Sequence, residues 1–139
     1  MTITRTYDAP RDLVFECMTT AEHLTHFWGP TGTSAPLDKI KIDLRPGGVF
    51  ETVMVNDENG EEYPSRGIYV EIDPPHKLVW TEPDVEGGMT NSVVFTDVGD
   101  GRTEVTIHQT NVPAMYLTPE AQAGMQSSLD RFAAYVSSL

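Results

Sequence analysis

The sequence predicts an α+β fold with an antiparallel sheet, on three observations. Strand-like and helix-like stretches follow the order β-α-α, then a run of strands, then one helix, with no β-α-β alternation to build a parallel sheet. The middle of the chain alternates apolar and polar residues with a period of two, as in strands with one wet face. The C-terminal stretch then returns to helical spacing.

Each element has its own local reason. Residues 2–7 (TITRTY) alternate and carry β-branched side chains, which suits an opening strand. Asp8-Ala9-Pro10 reads as a helix start, with Pro tolerated in the first turn and Asp8 as the cap. Leu13, Val14, Phe15 and Met18 form the apolar face of that helix. Thr20 is placed to cap a second short helix, in which Leu24, Phe27 and Trp28 fall at i, i+3 and i+4 before Gly29-Pro30 ends it. From about residue 36, Ile40, Ile42 and Leu44 alternate with Lys39, Lys41 and Asp43, which predicts a strand. Residues 48–56 form the next strand, launched by Arg45-Pro46-Gly47-Gly48, and residues 56–60 carry turn chemistry. Further strands are expected over about 62–73, 76–82, 91–98 and 102–110, the last two joined by Gly99-Asp100-Gly101 as a hairpin. Thr118-Pro119 makes a cap and first-turn pair, with Glu120 near the positive end of the helix dipole. Met125, Leu129, Phe132, Val136 and Leu139 then form one apolar stripe.

A chain of 139 residues without repeats or linkers is expected to be one domain, residues 1–139. Its formal net charge of -12 opposes the cationic field that a nucleic-acid partner requires, and it disfavours anionic membrane surfaces too. Cys17 is the single cysteine, so no intrachain disulfide forms, and its apolar neighbours suit a half-buried structural thiol. No stretch approaches a membrane span or a signal-peptide core, so the expected location is cytoplasmic, without membrane insertion.

The order of several short segments is more specific. Asp8-Ala9-Pro10, Glu22-His23-Leu24, Phe27-Trp28-Gly29-Pro30 and Arg45-Pro46-Gly47-Gly48 lead into residues 67–72 (GIYVEI) and Leu78-Val79-Trp80-Thr81. Gly101-Arg102-Thr103 and the last helix follow. In this order the chain resembles the START-like (SRPBCC) superfamily, in the branch of the C-terminal domain of the activator of Hsp90 ATPase. The resemblance implies a helix-grip fold, a curved antiparallel sheet of about six or seven strands wrapped around a long C-terminal helix. It also implies an internal cavity, while the motifs mark turns and packing and carry no catalytic signature. The family spans ligand carriers, polyketide cyclases and aromatases, stress proteins and a co-chaperone domain. The activator itself makes its main chaperone contact through a separate N-terminal domain that these residues lack, so an Hsp90-type chaperone is disfavoured as partner.

Little else in the sequence carries chemistry. His23 and His26 share a helical face, but Leu24, Phe27 and Trp28 claim the inward side, so both histidines are expected in solvent, as is His76 after its Pro-Pro turn. No metal site, cofactor or catalytic residue is assigned. Residues 57–60 superficially resemble a calcium loop but lack its alternating oxygen ligands, and read as a hairpin turn. Glu51, Glu71 and Glu82 sit one to a strand. On strand parity His108 points away from the core and Gln109 inward, unless a one-residue bulge exchanges them.

The cavity is therefore the candidate site. Trp28, Phe50, Tyr69, Trp80, Phe95, Met125, Leu129 and Phe132 come from elements that such a fold converges on one interior, and His108 or Gln109 would supply one orienting hydrogen bond. The expected partner is a small apolar or aromatic molecule, with enzymatic activity left open and leaning against. A cyclase- or aromatase-like enzyme is the first alternative, needing an inward titratable group from His108, Glu51, Glu71 or Glu82. An interaction module without ligand, including a stress-related partner or a homodimer, is the second.

Overall fold

The computed structural model describes residues 1–139. In chain order it contains β1 (Thr2–Tyr7), α1 (Arg11–Thr19), α2 (Ala21–Leu24), β2 (Thr33–Ser34), β3 (Lys41–Ile42), β4 (Val49–Asn56), β5 (Glu62–Asp73), β6 (Lys77–Glu82), β7 (Met89–Gly99), β8 (Arg102–Thr110) and α3 (Pro119–Ser137). All strands join one eight-stranded antiparallel sheet in the order β1-β8-β7-β6-β5-β4-β2, with β3 also on the edge of β4. The class is α+β, and the curved sheet with its short helices after β1 and its long last helix is a helix-grip arrangement.

One face of the sheet carries the core. Phe50, Tyr69, Leu78, Trp80, Val93, Phe95, Val105 and Ile107 are buried there with Leu129, Phe132 and Val136 of α3 and with Val14, Phe15 and Cys17 of α1. Parity holds through each strand, and a bulge between Tyr69 and Glu71 resets it in β5, so that Ile72 packs inward beyond the bulge and Glu71 faces solvent. Cys17 is more deeply buried than its sequence suggests, with none of its surface exposed. Burial, helped by the charge of Glu16, pushes its thiol pKa up to about 11.

Three local expectations need correction. Asp8 does not cap α1; Pro10 stands at the N-cap, and its carbonyl accepts from the amides of Leu13 and Val14. Thr20 stands at the N-cap of α2 without a side-chain bond. The strand expected from about residue 36 is reduced to a 3-10 turn over Leu37–Lys39 and the two residues of β3, and the alternation fails at exposed Leu44. Pro36, which has no N–H to give a ladder, stands directly before that turn. The expected cap of α3 does form: the Thr118 hydroxyl accepts from the amide of Ala121 at 3.2 Å.

Candidate functional site

The site is a groove between the N-terminal half of α3 and the sheet. Its floor is aromatic because two strands and a loop deliver rings to one place. Trp28 meets Phe50 edge-on at 5.3 Å between centroids, and Phe50 meets Trp80 at 6.2 Å. Gly67 makes this possible: a Cβ there would come within 2.9 Å of the Trp80 ring and 3.5 Å of the Phe50 ring. Below the floor, Met18, Trp28, Phe50, Tyr69, Leu78 and Trp80 enclose a void of about 10 Å³, the size of one water and wholly apolar. Above it the groove opens to about 1420 Å³ and reaches solvent past Pro113, Met115 and Tyr116. That exceeds an ordinary small-molecule pocket of about 300–1,000 Å³, so a ligand would fill part of it.

The roof is held at a fixed height by polar ties. From α3, one Nη of Arg131 donates to the carbonyls of Gly29, Pro30 and Thr33 at 2.8, 3.0 and 3.2 Å. The Thr31 amide donates to the Ser127 hydroxyl at 3.1 Å. Gly29 adopts φ +96°, and a Cβ there would come within 2.6 Å of Thr33 Oγ1 and 2.9 Å of Met54 Sδ, so only glycine fits the turn that presents these carbonyls. Closer to its C-terminus α3 is more closely packed, with Leu129 and Phe132 buried while still bordering the groove. Phe132 meets Tyr7 at 4.8 Å and Phe27 at 4.5 Å. His23 Nδ1 and the Tyr135 hydroxyl lie 2.5 Å apart, and His26 stacks on the Tyr135 ring at 5.2 Å.

One end of the floor is polar. Thr52, Ser65, Glu82, Asn91 and Gln109 come from β4, β5, β6, β7 and β8, and all of them line the groove. Gln109 Nε2 donates to Asn91 Oδ1 at 2.8 Å, and Asn91 Nδ2 donates to Glu82 Oε2 at 2.7 Å. Burial raises the pKa of Glu82, and hydrogen bonding from the Asn91, Trp80 and Ser65 side chains works against that rise. Asn91 and Thr52 are each only 2 % exposed, and Thr52 Oγ1 is buried with no hydrogen-bond partner.

The structure sorts the sequence-derived candidates. Trp28, Phe50, Trp80, Gln109, Met125, Leu129 and Phe132 line the groove. Tyr69 borders only the small void below it, and Phe95 is packed in the core against Phe15 at 5.2 Å, away from the groove. His108 stands on the outer face of β8, as strand parity has it, with Val105, Ile107 and Gln109 inward and no bulge to exchange them, so it does not line the cavity; its Nδ1 meets the Thr2 hydroxyl at 2.8 Å. His23 is a correction, half-buried against Tyr135 instead of free in solvent, whereas His26 and His76 are exposed as expected. Glu71 is exposed, and Glu51 lies opposite Arg66 on the face of β4 turned from the core. The polar belt as a set went unread, although its signal was present: Asn91 shares strand parity with Val93 and Phe95, and Thr52 with Phe50. No group of three or more His, Cys, Asp or Glu side chains is placed to hold a metal ion, and no helix is long and apolar enough to cross a membrane.

A family model described as "Activator of Hsp90 ATPase homolog 1-like protein" matches residues 8–137. A crystal structure from Chromobacterium violaceum is similar with a TM-score of 0.84 at 22% identity, over 96% of this chain and 94% of that one. One from Nitrosomonas europaea gives 0.84 at 24%, over 99% and 94%, and one from Mycobacterium smegmatis gives 0.79 at 26%, over 99% and 90%. No curated protein matches this chain.

Proposed function

We propose, from the premise that this chain belongs to the activator of Hsp90 ATPase homolog 1-like family within the START-like superfamily, that it binds a small apolar or aromatic molecule under α3. The observation that carries the reading is the groove itself, a space of about 1420 Å³ lined by Trp28, Phe50 and Trp80 beneath the N-terminal half of α3. Interiors pack to near-crystal density, so an aromatic-lined space of this size in the middle of a fold calls for an occupant. Met125 supplies an adaptable wall, and Gln109, joined to Asn91, supplies a polar contact at one end. His108, Tyr69 and Phe95 have no part in it.

A thermal-shift screen with fatty acids, sterols, flavonoids and small aromatic polyketides tests the reading. A ligand at 100 times its dissociation constant adds about 2.7 kcal/mol, roughly 5 to 15 °C in Tm for a domain of this size. The expected result is a shift confined to one chemical class and lost in Trp80→Ala. A screen flat in every class sinks the reading and favours an interaction module. A cyclase- or aromatase-like enzyme is supported by one observation, that Glu82 lines the groove with a raised pKa. Turnover of a polyketide probe that is lost in Glu82→Gln would favour it.

A further inference from the structure

The polar belt narrows what the groove would take, an inference that rests on the ligand-binding reading and deepens it. Its hydrogen bonds run one way: Gln109 donates to Asn91 and Asn91 donates to Glu82, so the chain ends on an acceptor. Glu82 has only neutral side chains as donors and no salt-bridge partner. A half-buried carboxylate without a cation keeps much of its desolvation cost, and the upward pKa of Glu82 is the signature of that unmet cost. Thr52 adds a second unmet polar atom in the same groove, buried and unpartnered.

The charges around the groove point the same way. Lys39 is engaged by Glu62 at 2.5 Å and Arg66 by Asp84 at 3.1 Å. That leaves Lys41 and the Met1 ammonium, which donates to the Gln109 carbonyl at 2.8 Å, as the cations of the lining outside a salt bridge, in a lining whose carboxylates also include Asp38, Glu86 and Glu120. A carboxylate ligand would bring like charge towards Glu82, whereas an ammonium group would meet an acceptor already oriented by Asn91. Beyond the belt, the rings of Trp28, Phe50 and Trp80 offer faces to an aromatic body.

We propose that the groove selects an aromatic molecule carrying a protonated amine, with its ring on Trp28, Phe50 and Trp80 and its ammonium on Glu82, and rejects the corresponding carboxylate. The test is calorimetric titration of the full chain at pH 7 with 2-naphthylmethylamine, 2-naphthylmethanol and 2-naphthoate, which share one ring and differ in charge. The expected order is amine, then alcohol, then carboxylate, with the amine at least about tenfold tighter than the carboxylate. Glu82→Gln should reduce that preference by about tenfold while leaving the alcohol within about threefold. Glu71→Gln, the same charge change on the outer face, should leave the order alone. Carboxylate binding as tightly as amine, or a preference that survives Glu82→Gln, overturns the proposal; continued binding of the alcohol then keeps the groove reading intact. Absence of binding by all three probes overturns both. The wild-type ratio decides by itself if Glu82→Gln folds poorly.

Discussion

The two halves of α3 meet the sheet in opposite ways. Towards the C-terminus, Leu129, Phe132 and Val136 are buried, and Phe132 meets Tyr7 edge-on and Phe27 at a tilt. Towards the N-terminus, Ala121, Gln122, Met125 and Ser128 are only half-buried above the open groove. The same helical stripe runs through both, so periodicity in the helix does not decide which half is filled. What lies opposite decides it. The closed end faces aromatics from β1 and the segment after α2, which are large enough to reach the helix. The open end faces a glycine, rings set edge-on to one another and a polar belt. A solid core and a hollow one are thus built along one helix from one pattern.

The largest expected effect breaks the closed end. Phe132→Ala should cost about 3–5 kcal/mol in urea unfolding, because it leaves a cavity among packed rings. Met125→Ala, two stripe positions nearer the groove, should cost only about 1 kcal/mol, since its side chain is already half in contact with open space. Equal costs would mean that the halves do not differ in packing. Arg131→Met, at the junction, removes three charge-assisted bonds to the Gly29, Pro30 and Thr33 carbonyls. The expected cost is about 1–3 kcal/mol, with faster hydrogen exchange near residue 31. Faster exchange at the Tyr7–Phe132 end instead would place the tie in the wrong half.

The smallest effect sharpens the open end through pH. A carboxyl whose folded pKa is raised favours the fold when protonated, and that contribution is lost as pH rises from the unfolded value, about 4.3, through the folded one. Glu82→Gln escapes the loss and still accepts from Asn91. It should therefore be slightly more stable than the parent at pH 7, with the gap closing below about pH 4. A gap that is unchanged by pH would trace to packing instead of charge.

Much of this architecture could be read from residues alone. The β-α-α opening, the hairpin at Gly99-Asp100-Gly101, the Thr118 cap and the stripe of α3 from Met125 to Val136 each rest on a local rule, whereas Leu139, expected in that stripe, lies beyond the helix and is exposed. The segment from about residue 36 to 44 departs from the expected strand because alternation at Ile40, Ile42 and Leu44 says nothing of how far a partner strand extends, and β4 pairs with it only at Lys41 and Ile42. The site was half legible. Trp28, Phe50, Trp80 and Met125 follow from parity and the family pattern, whereas Tyr69 and Phe95 share that parity yet lie below or beyond the groove. Depth along a strand face depends on sheet curvature and on what covers each point, and a periodic pattern encodes neither. His23 against Tyr135 joins residues far apart in sequence, a pairing that no local rule reports.

The broken segment before β4 has a consequence of its own for how molecules of this protein meet one another. Had residues 33–44 formed one long strand, it would have presented a continuous row of unpaired amides and carbonyls along the sheet margin, a template for another chain. Instead, β2 and β3 each contribute two residues, a 3-10 turn separates them, and Lys39 and Lys41 stand at the break. Short strands, charge and interruption are the devices by which sheet proteins discourage edge-to-edge growth. The irregularity that spoils the alternation thus guards this margin against aggregation.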